Sequence, residues 1–145
     1  MIGLLQRVAY SSVEVEGNVI GEIEQGLMVL IGVEKEDDEQ SADKLLQKLL
    51  KYRVFSDAND KMNLSLQDVQ GGLLLVPQFT LAADTNSGLR PSFSSAAAPA
   101  MGKQLFEYLV GQAKKQYVNV ESGQFGADMK VKLLNDGPVT FNLSV

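Results

Sequence analysis

The 145-residue sequence contains no cysteine, no histidine and no tryptophan, and only four prolines. Without cysteine there is no disulfide framework and no thiol nucleophile. Without histidine, Ser-His-Asp and Cys-His arrangements are excluded, and so is nearly every zinc site. The longest apolar stretches, such as Leu27 to Val33, are far too short to cross a bilayer. No basic segment precedes an apolar one near Met1, so no signal peptide is expected and cytoplasm is the expected compartment. Any chemistry must come from hydroxyls, carboxylates, Lys, Arg, Tyr, backbone dipoles or the substrate itself. Neither metal nor cofactor is expected.

What is present is an ordinary globular composition, 45% apolar and 21% charged, in a length that suits one domain. The net charge of −5 argues mildly against a nucleic-acid partner, but it is unevenly spread. Ten of the 18 acidic residues lie between Glu14 and Asp43. Lys44 to Arg53 carries four basic residues and no acid, and Thr85 to Asn135 carries six basic residues against three acidic. Such a basic face holds a phosphate backbone weakly and in a salt-sensitive way, or it is merely solvated.

Hydrophobic periodicity predicts an antiparallel meander in the first third: Ile2 to Tyr10, Val13 and Val15, then Val19 to Ile23. "LMVLIGV" reads as a central strand buried on both faces. Asp37 with Gln40 resembles a capping box opening a helix whose stripe is Ala42, Leu45, Leu46, Leu49 and Leu50. "LLLVPQFTL", Leu73 to Leu81, reads as a second buried strand that Pro77 confines to an edge or interrupts. A long polar loop from Ala82 to Ser95 follows, of a length often tied to function. Pro99 opens a second helix with Met101, Leu105, Leu109 and Ala113 on its core side. A strand near Tyr117 to Glu121, a bend at Gly123 to Gly126 and a closing hairpin complete the chain. The predicted fold class is α/β of the α+β type: a mostly antiparallel, barrel-like meander of about eight strands with two packed helices, one domain throughout 1–145.

The hairpin turn is "NDGPVT", residues 135 to 140. Asn, Asp and Gly suit the turn, and Pro at the start of a strand loses no ladder bond. A functional peptide unit is the alternative, since an X-Pro bond can be cis and can aim two carbonyls the same way.

"PQFTLAADT" (Pro77 to Thr85) and "NDGPVT" together resemble the Ser-Gln-Phe-Thr-Leu and Asn-X-Gly-Pro-Val-Thr motifs of the bacterial D-aminoacyl-tRNA deacylases. "LLQRVAYSSVEVEG", "DKMNLSL" and "LRPSFS" are similar to the same family, so the likeness runs nearly end to end. The resemblance implies hydrolysis of the ester joining a D-amino acid to the 3′-terminal adenosine of tRNA, by a homodimer with active sites at the subunit interface. It implies that Gly137-Pro138 is cis and reaches into the partner's site beside Gln78, Phe79 and Thr80. Arg7 and Met129 also match family positions near this gate. Arg7 either braces the Gly-Pro loop or is a surface cation, and Met129 is otherwise plain core. One departure stands out: this chain has Pro77 where the family has Ser, so a hydroxyl and a backbone donor are lost together.

Rigid backbone that blocks the L side chain's direction selects by repulsion, and it leaves achiral glycine acceptable. Thr80 is the obvious nucleophile, but a hydroxyl without a base is weak. Its other reading is a strand residue whose hydroxyl bonds to backbone. Backbone N–H groups near Phe79 and Thr80 polarising the carbonyl are preferred here, with Gln78 orienting the substrate and the adenosine 2′-hydroxyl helping to activate water. The rival reading from another class is a non-catalytic RNA- or ligand-binding barrel module, and turnover separates the two.

Overall fold

The computed structural model describes all residues from Met1 to Val145. In chain order the elements are β1 (Ile2–Val15), β2 (Asn18–Ile23), β3 (Gly26–Gly32), α1 (Glu39–Lys51), β4 (Phe55–Ser56) and β5 (Met62–Leu64). There follow α2 (Leu66–Val69), β6 (Gly72–Pro77), a 3₁₀ turn (Phe79–Ala82), α3 (Pro99–Gln116), β7 (Val120–Ser122) and β8 (Lys130–Ser144). β1 is long enough to pair antiparallel with β3 through Ile2 to Val8 and with β2 through Ser11 to Val15. Its other edge is covered by β8. β3 and β6 are parallel, as are β6 and β7, with α1 and α3 spanning the two crossovers. The sheet is therefore mixed and curls until β2 nears β7: a Cβ at Gly21 would lie 3.1 Å from the Ser122 carbonyl oxygen. It is a nearly closed barrel.

Two cores result. Val8, Val13, Ile23, Met28, Leu74 and Val76 fill the concave interior. The larger core lies between the sheet and the helices, where Leu45, Leu46, Leu49 and Leu50 of α1 meet Leu105, Phe106 and Leu109 of α3. The stripes expected on both helices are buried as the 3.6-residue period requires, with Met101 only half-buried.

Several local expectations are corrected. β1 runs unbroken past Tyr10 to Val15, because β2 and β8 pair with its second half. The N-cap of α1 is Asp38 with Ser41, not Asp37 with Gln40. Asp37 accepts instead from the Glu34 N–H and the Met1 ammonium. Bonds from the Ser41 N–H and hydroxyl hold the Asp38 carboxyl below the ordinary value. A third helix, the single turn α2, is capped by Ser65 and Asp68. Pro77 does end β6 as expected, but Phe79 to Leu81 turn into the 3₁₀ segment instead of extending the strand.

The closing hairpin is absent. Lys130 to Ser144 form one strand that follows β1 throughout, and residues 136–139 bulge out between the pairs Val8–Asn135 and Gln6–Thr140. The Asn135 carboxamide closes this bulge, accepting from the Val139 N–H at 2.7 Å and donating to the Val139 carbonyl and the Thr140 hydroxyl. The bulge carries the Gly137-Pro138 peptide, which is cis. A strand as long as β1 leaves β8 no reason to reverse.

Candidate functional site

β3 and β6 end side by side at Ile31 and Pro77, and Gln78 is tied there by its N–H, which donates to the Ile31 carbonyl at 2.8 Å. Beyond them opens a cavity of about 420 Å³. Its walls include Ile31, Val33, Val76, Pro77, Gln78 and Phe79 from the strand ends, and Pro99, Gly102 and Phe106 from α3. Phe125, Ala127 and Met129, from the segment leading into β8, and Val131 at the start of that strand complete the lining. No lining side chain is ionisable. A ligand there meets apolar walls, one carboxamide and backbone dipoles, in a volume typical of small-molecule sites.

Three of the expected residues sit together at the mouth. The Gln78 side chain donates to the Thr80 hydroxyl oxygen at 2.5 Å. That corrects the alternative reading of Thr80 as a strand residue bonded to backbone, since it lies in the 3₁₀ turn and its partner is a side chain. The Leu81 N–H makes the first bond of the turn, to the Gln78 carbonyl, so the N–H groups of Phe79 and Thr80 precede any intrahelical partner. Phe79 is 60% exposed, its ring centroid 5.3 Å from that of Phe93. Phe93 belongs to the long polar loop, which doubles back through paired backbone bonds between Asp84 and Ser92. The loop then returns along Val33, whose carbonyl accepts from the Ala97 N–H, and so delivers Ala97 and Pro99 to the cavity wall.

The other expected residues divide. Met129 lines the cavity and also packs on the barrel interior. Arg7, Gly137 and Pro138 do not line it. Arg7 pairs with Leu27, at the opposite end of β3 from Ile31, and the four-residue step between them spans about 13 Å. There Arg7 Nε donates to the Asp136 carbonyl at 2.8 Å and Nη1 to the Val54 carbonyl at 2.7 Å. Arg7 thus clamps the bulge to the segment before β4, and it is not a free surface cation. One chain keeps the Gln78 cluster and the Gly137-Pro138 bulge at opposite ends of β3.

Sequence reasoning missed the α3 and Phe125 walls, having assigned α3 to the core and residues 123–126 to a bend. A signal did exist in Gly102. A glycine inside a helix costs about 1 kcal/mol relative to alanine, which points to a close neighbour. Here the neighbour is Phe125, 3.3 Å from where a Cβ would stand.

Comparison with known proteins agrees with this architecture. Residues 4–144 match the family described as D-Tyr-tRNA(Tyr) deacylase. The chain is 67% identical to a D-aminoacyl-tRNA deacylase of Pseudomonas putida and 62% identical to one of Pseudoalteromonas translucida, each over the full length of both proteins. Among solved structures it superposes on a c-Myc DNA unwinding element binding protein with a TM-score of 0.95 and 35% identity, covering 100% of this chain and 99% of the other. A probable eukaryotic D-amino acid tRNA deacylase shares the fold with a TM-score of 0.83 at 15% identity, over 99% and 98% of the two chains. With a family match from one end to the other and relatives at two-thirds identity, the chain belongs to the D-Tyr-tRNA(Tyr) deacylase family.

Proposed function

We propose that the protein hydrolyses the ester between a D-amino acid, or glycine, and the 3′-terminal adenosine of tRNA. It acts as a homodimer in which the Gly137-Pro138 bulge of one subunit closes the cavity of the other. The observation that carries this reading is the cavity without ionisable walls, lined by Gln78 and Phe79, next to a 3₁₀ turn whose first two N–H groups have no backbone partner. Such a site suits an ester whose carbonyl oxygen gains charge in the transition state and needs only fixed dipoles to stabilise it. Water adds to the carbonyl carbon, and the ribose oxygen leaves with the proton that the water gives up. The adenosine 2′-hydroxyl, held beside the ester, relays that proton. The placement of the two motifs at opposite ends of β3 supports the dimer, because only a second copy brings a bulge to each cavity.

Thr80 positions Gln78 and does not attack. Its oxygen already accepts from the Gln78 amide, and nothing nearby can take its proton. Thr80→Ala therefore retains activity within about tenfold, whereas loss of a true nucleophile lowers kcat by about 10⁴-fold or more. Single-turnover deacylation of D-Tyr-tRNA by the variant decides between the two.

The reading as a whole is tested with matched D- and L-aminoacyl-tRNA and with Gly-tRNA, each incubated with purified protein and a chelator. D-Tyr-tRNA should be hydrolysed at least about 100-fold faster than L-Tyr-tRNA, a discrimination of roughly 3 kcal/mol. Gly-tRNA should be cleaved as well, having no side chain to exclude. Inertness toward glycine would argue against a backbone gate, and protection of the D-ester without turnover would make the protein a binding module.

A further inference from the structure

A second cavity, of about 310 Å³, opens beside the first and shares Phe106 and Phe125 with it. Its character differs. Lys103 and Glu107 rise from successive turns of α3, and Ser122 at the end of β7 and Gln124 just beyond it face them. None of these four side chains has an ion-pair or hydrogen-bond partner within the chain, although Lys103 and Glu107 are spaced to pair with each other. Phe125 stands between the two spaces, its ring edge seated on Gly102.

We infer that this second cavity holds the nucleotide immediately before the terminal adenosine, a cytidine in tRNA. The inference rests on the main cavity being the adenosine site. Continuity through Phe125 allows a dinucleotide to place one base on each side of that ring, with a pyrimidine face stacked on the phenyl group. The ammonium of Lys103, on the turn of α3 nearer its positive end, meets the phosphate that links the two nucleotides. The Glu107 carboxylate, one turn further from the phosphate, accepts from the exocyclic amine of cytosine, a group that uracil lacks. Ser122 and Gln124 complete the base edge. The wall that divides the cavities is thus the spacer that sets the register of the RNA end.

The test compares two esters, D-tyrosyl-adenosine and the D-tyrosyl ester of the dinucleotide CpA, with wild-type protein, Lys103→Ala and Lys103→Arg. Wild type should hydrolyse the dinucleotide ester with kcat/KM about tenfold above the adenosine ester, the effect expected of one charge-assisted contact. Lys103→Ala should bring that ratio close to one while its rate on the adenosine ester stays within twofold, and Lys103→Arg should restore most of the ratio. Replacing CpA by UpA should lower the wild-type rate, and Glu107→Ala should remove the difference between the two. A wild-type ratio near one, or a ratio that Lys103→Ala leaves intact, overturns the subsite while deacylation stands. If intact D-Tyr-tRNA is not cleaved at all, it is the deacylase reading that fails, and this subsite with it.

Discussion

Gly26→Ala leaves no folded protein at 37 °C. Gly26 and Gly72 face each other across the parallel pair β3–β6, and a Cβ at Gly26 would stand 1.9 Å from the Gly72 carbonyl oxygen and 2.6 Å from its nitrogen. Both obstacles are backbone, so no rotamer change relieves the clash. The Gly72 strand cannot retreat without breaking the bond from its N–H to the Gln25 carbonyl at 2.9 Å. The ladder at the start of two central strands must open. A backbone clash of this kind belongs to the exceptional class of losses above about 4–5 kcal/mol, enough to consume a net stability at the lower end of the typical range of about 5–15 kcal/mol. Gly111→Ala is the internal contrast. It lies exposed within α3 with nothing within 4 Å of its Cβ position, and alanine there should stabilise by about 0.5–1 kcal/mol. Urea titrations of both variants check the opposite signs, and a soluble, cooperatively unfolding Gly26→Ala would refute the backbone-contact argument.

Gly137→Ala should lower kcat/KM on D-aminoacyl-tRNA by about 100-fold while the chain still folds, the size of loss that a displacement of about 1 Å produces in a reacting geometry. Gly137 has φ of +149°, a region that L side chains rarely adopt, and its Cβ would lie 2.9 Å from the Val139 nitrogen and 3.1 Å from Arg7 Nη2. That nitrogen closes the bulge onto Asn135, and Arg7 secures the bulge through the Asp136 carbonyl. Alanine must therefore disturb both fastenings of the segment that, in the proposed dimer, closes the partner's cavity. The stability cost is modest, about 1–3 kcal/mol, since residues 136–138 are exposed. Steady-state rates on D- and L-esters, read beside a thermal melt, separate the two effects. Activity within twofold of wild type would mean that the bulge has no part in catalysis.

The sequence made the helices legible because their apolar stripes repeat at 3.6 residues over many turns, and chain-local signals such as Pro99 marked where they begin. It also made β3 legible, since an uninterrupted apolar run between glycines can be buried on both faces. The same continuity in Leu73 to Val76 carried the parallel pairing of β3 with β6, which the antiparallel expectation understated. β8 was misread because a polar Asn-Asp-Gly-Pro group looks the same whether the chain reverses or bulges. Only the length of β1, a partner far away in sequence, distinguishes the two cases. The candidate site divides along the same line. Gln78, Phe79 and Thr80 are contiguous and therefore visible together, while Gly102, Phe106 and Phe125 meet only after two crossovers have been laid down. Phe125 in particular sits in a stretch whose glycines read as a simple bend.

The apolar cavity at the ends of β3 and β6 offers no group of its own that gains or loses a proton near neutrality. Acidity in the surroundings therefore has little purchase on its walls, and the amine and hydroxyls of whatever enters set the response. The proposed discrimination by contour has the same virtue: it does not fade when the surroundings turn more acidic or more alkaline.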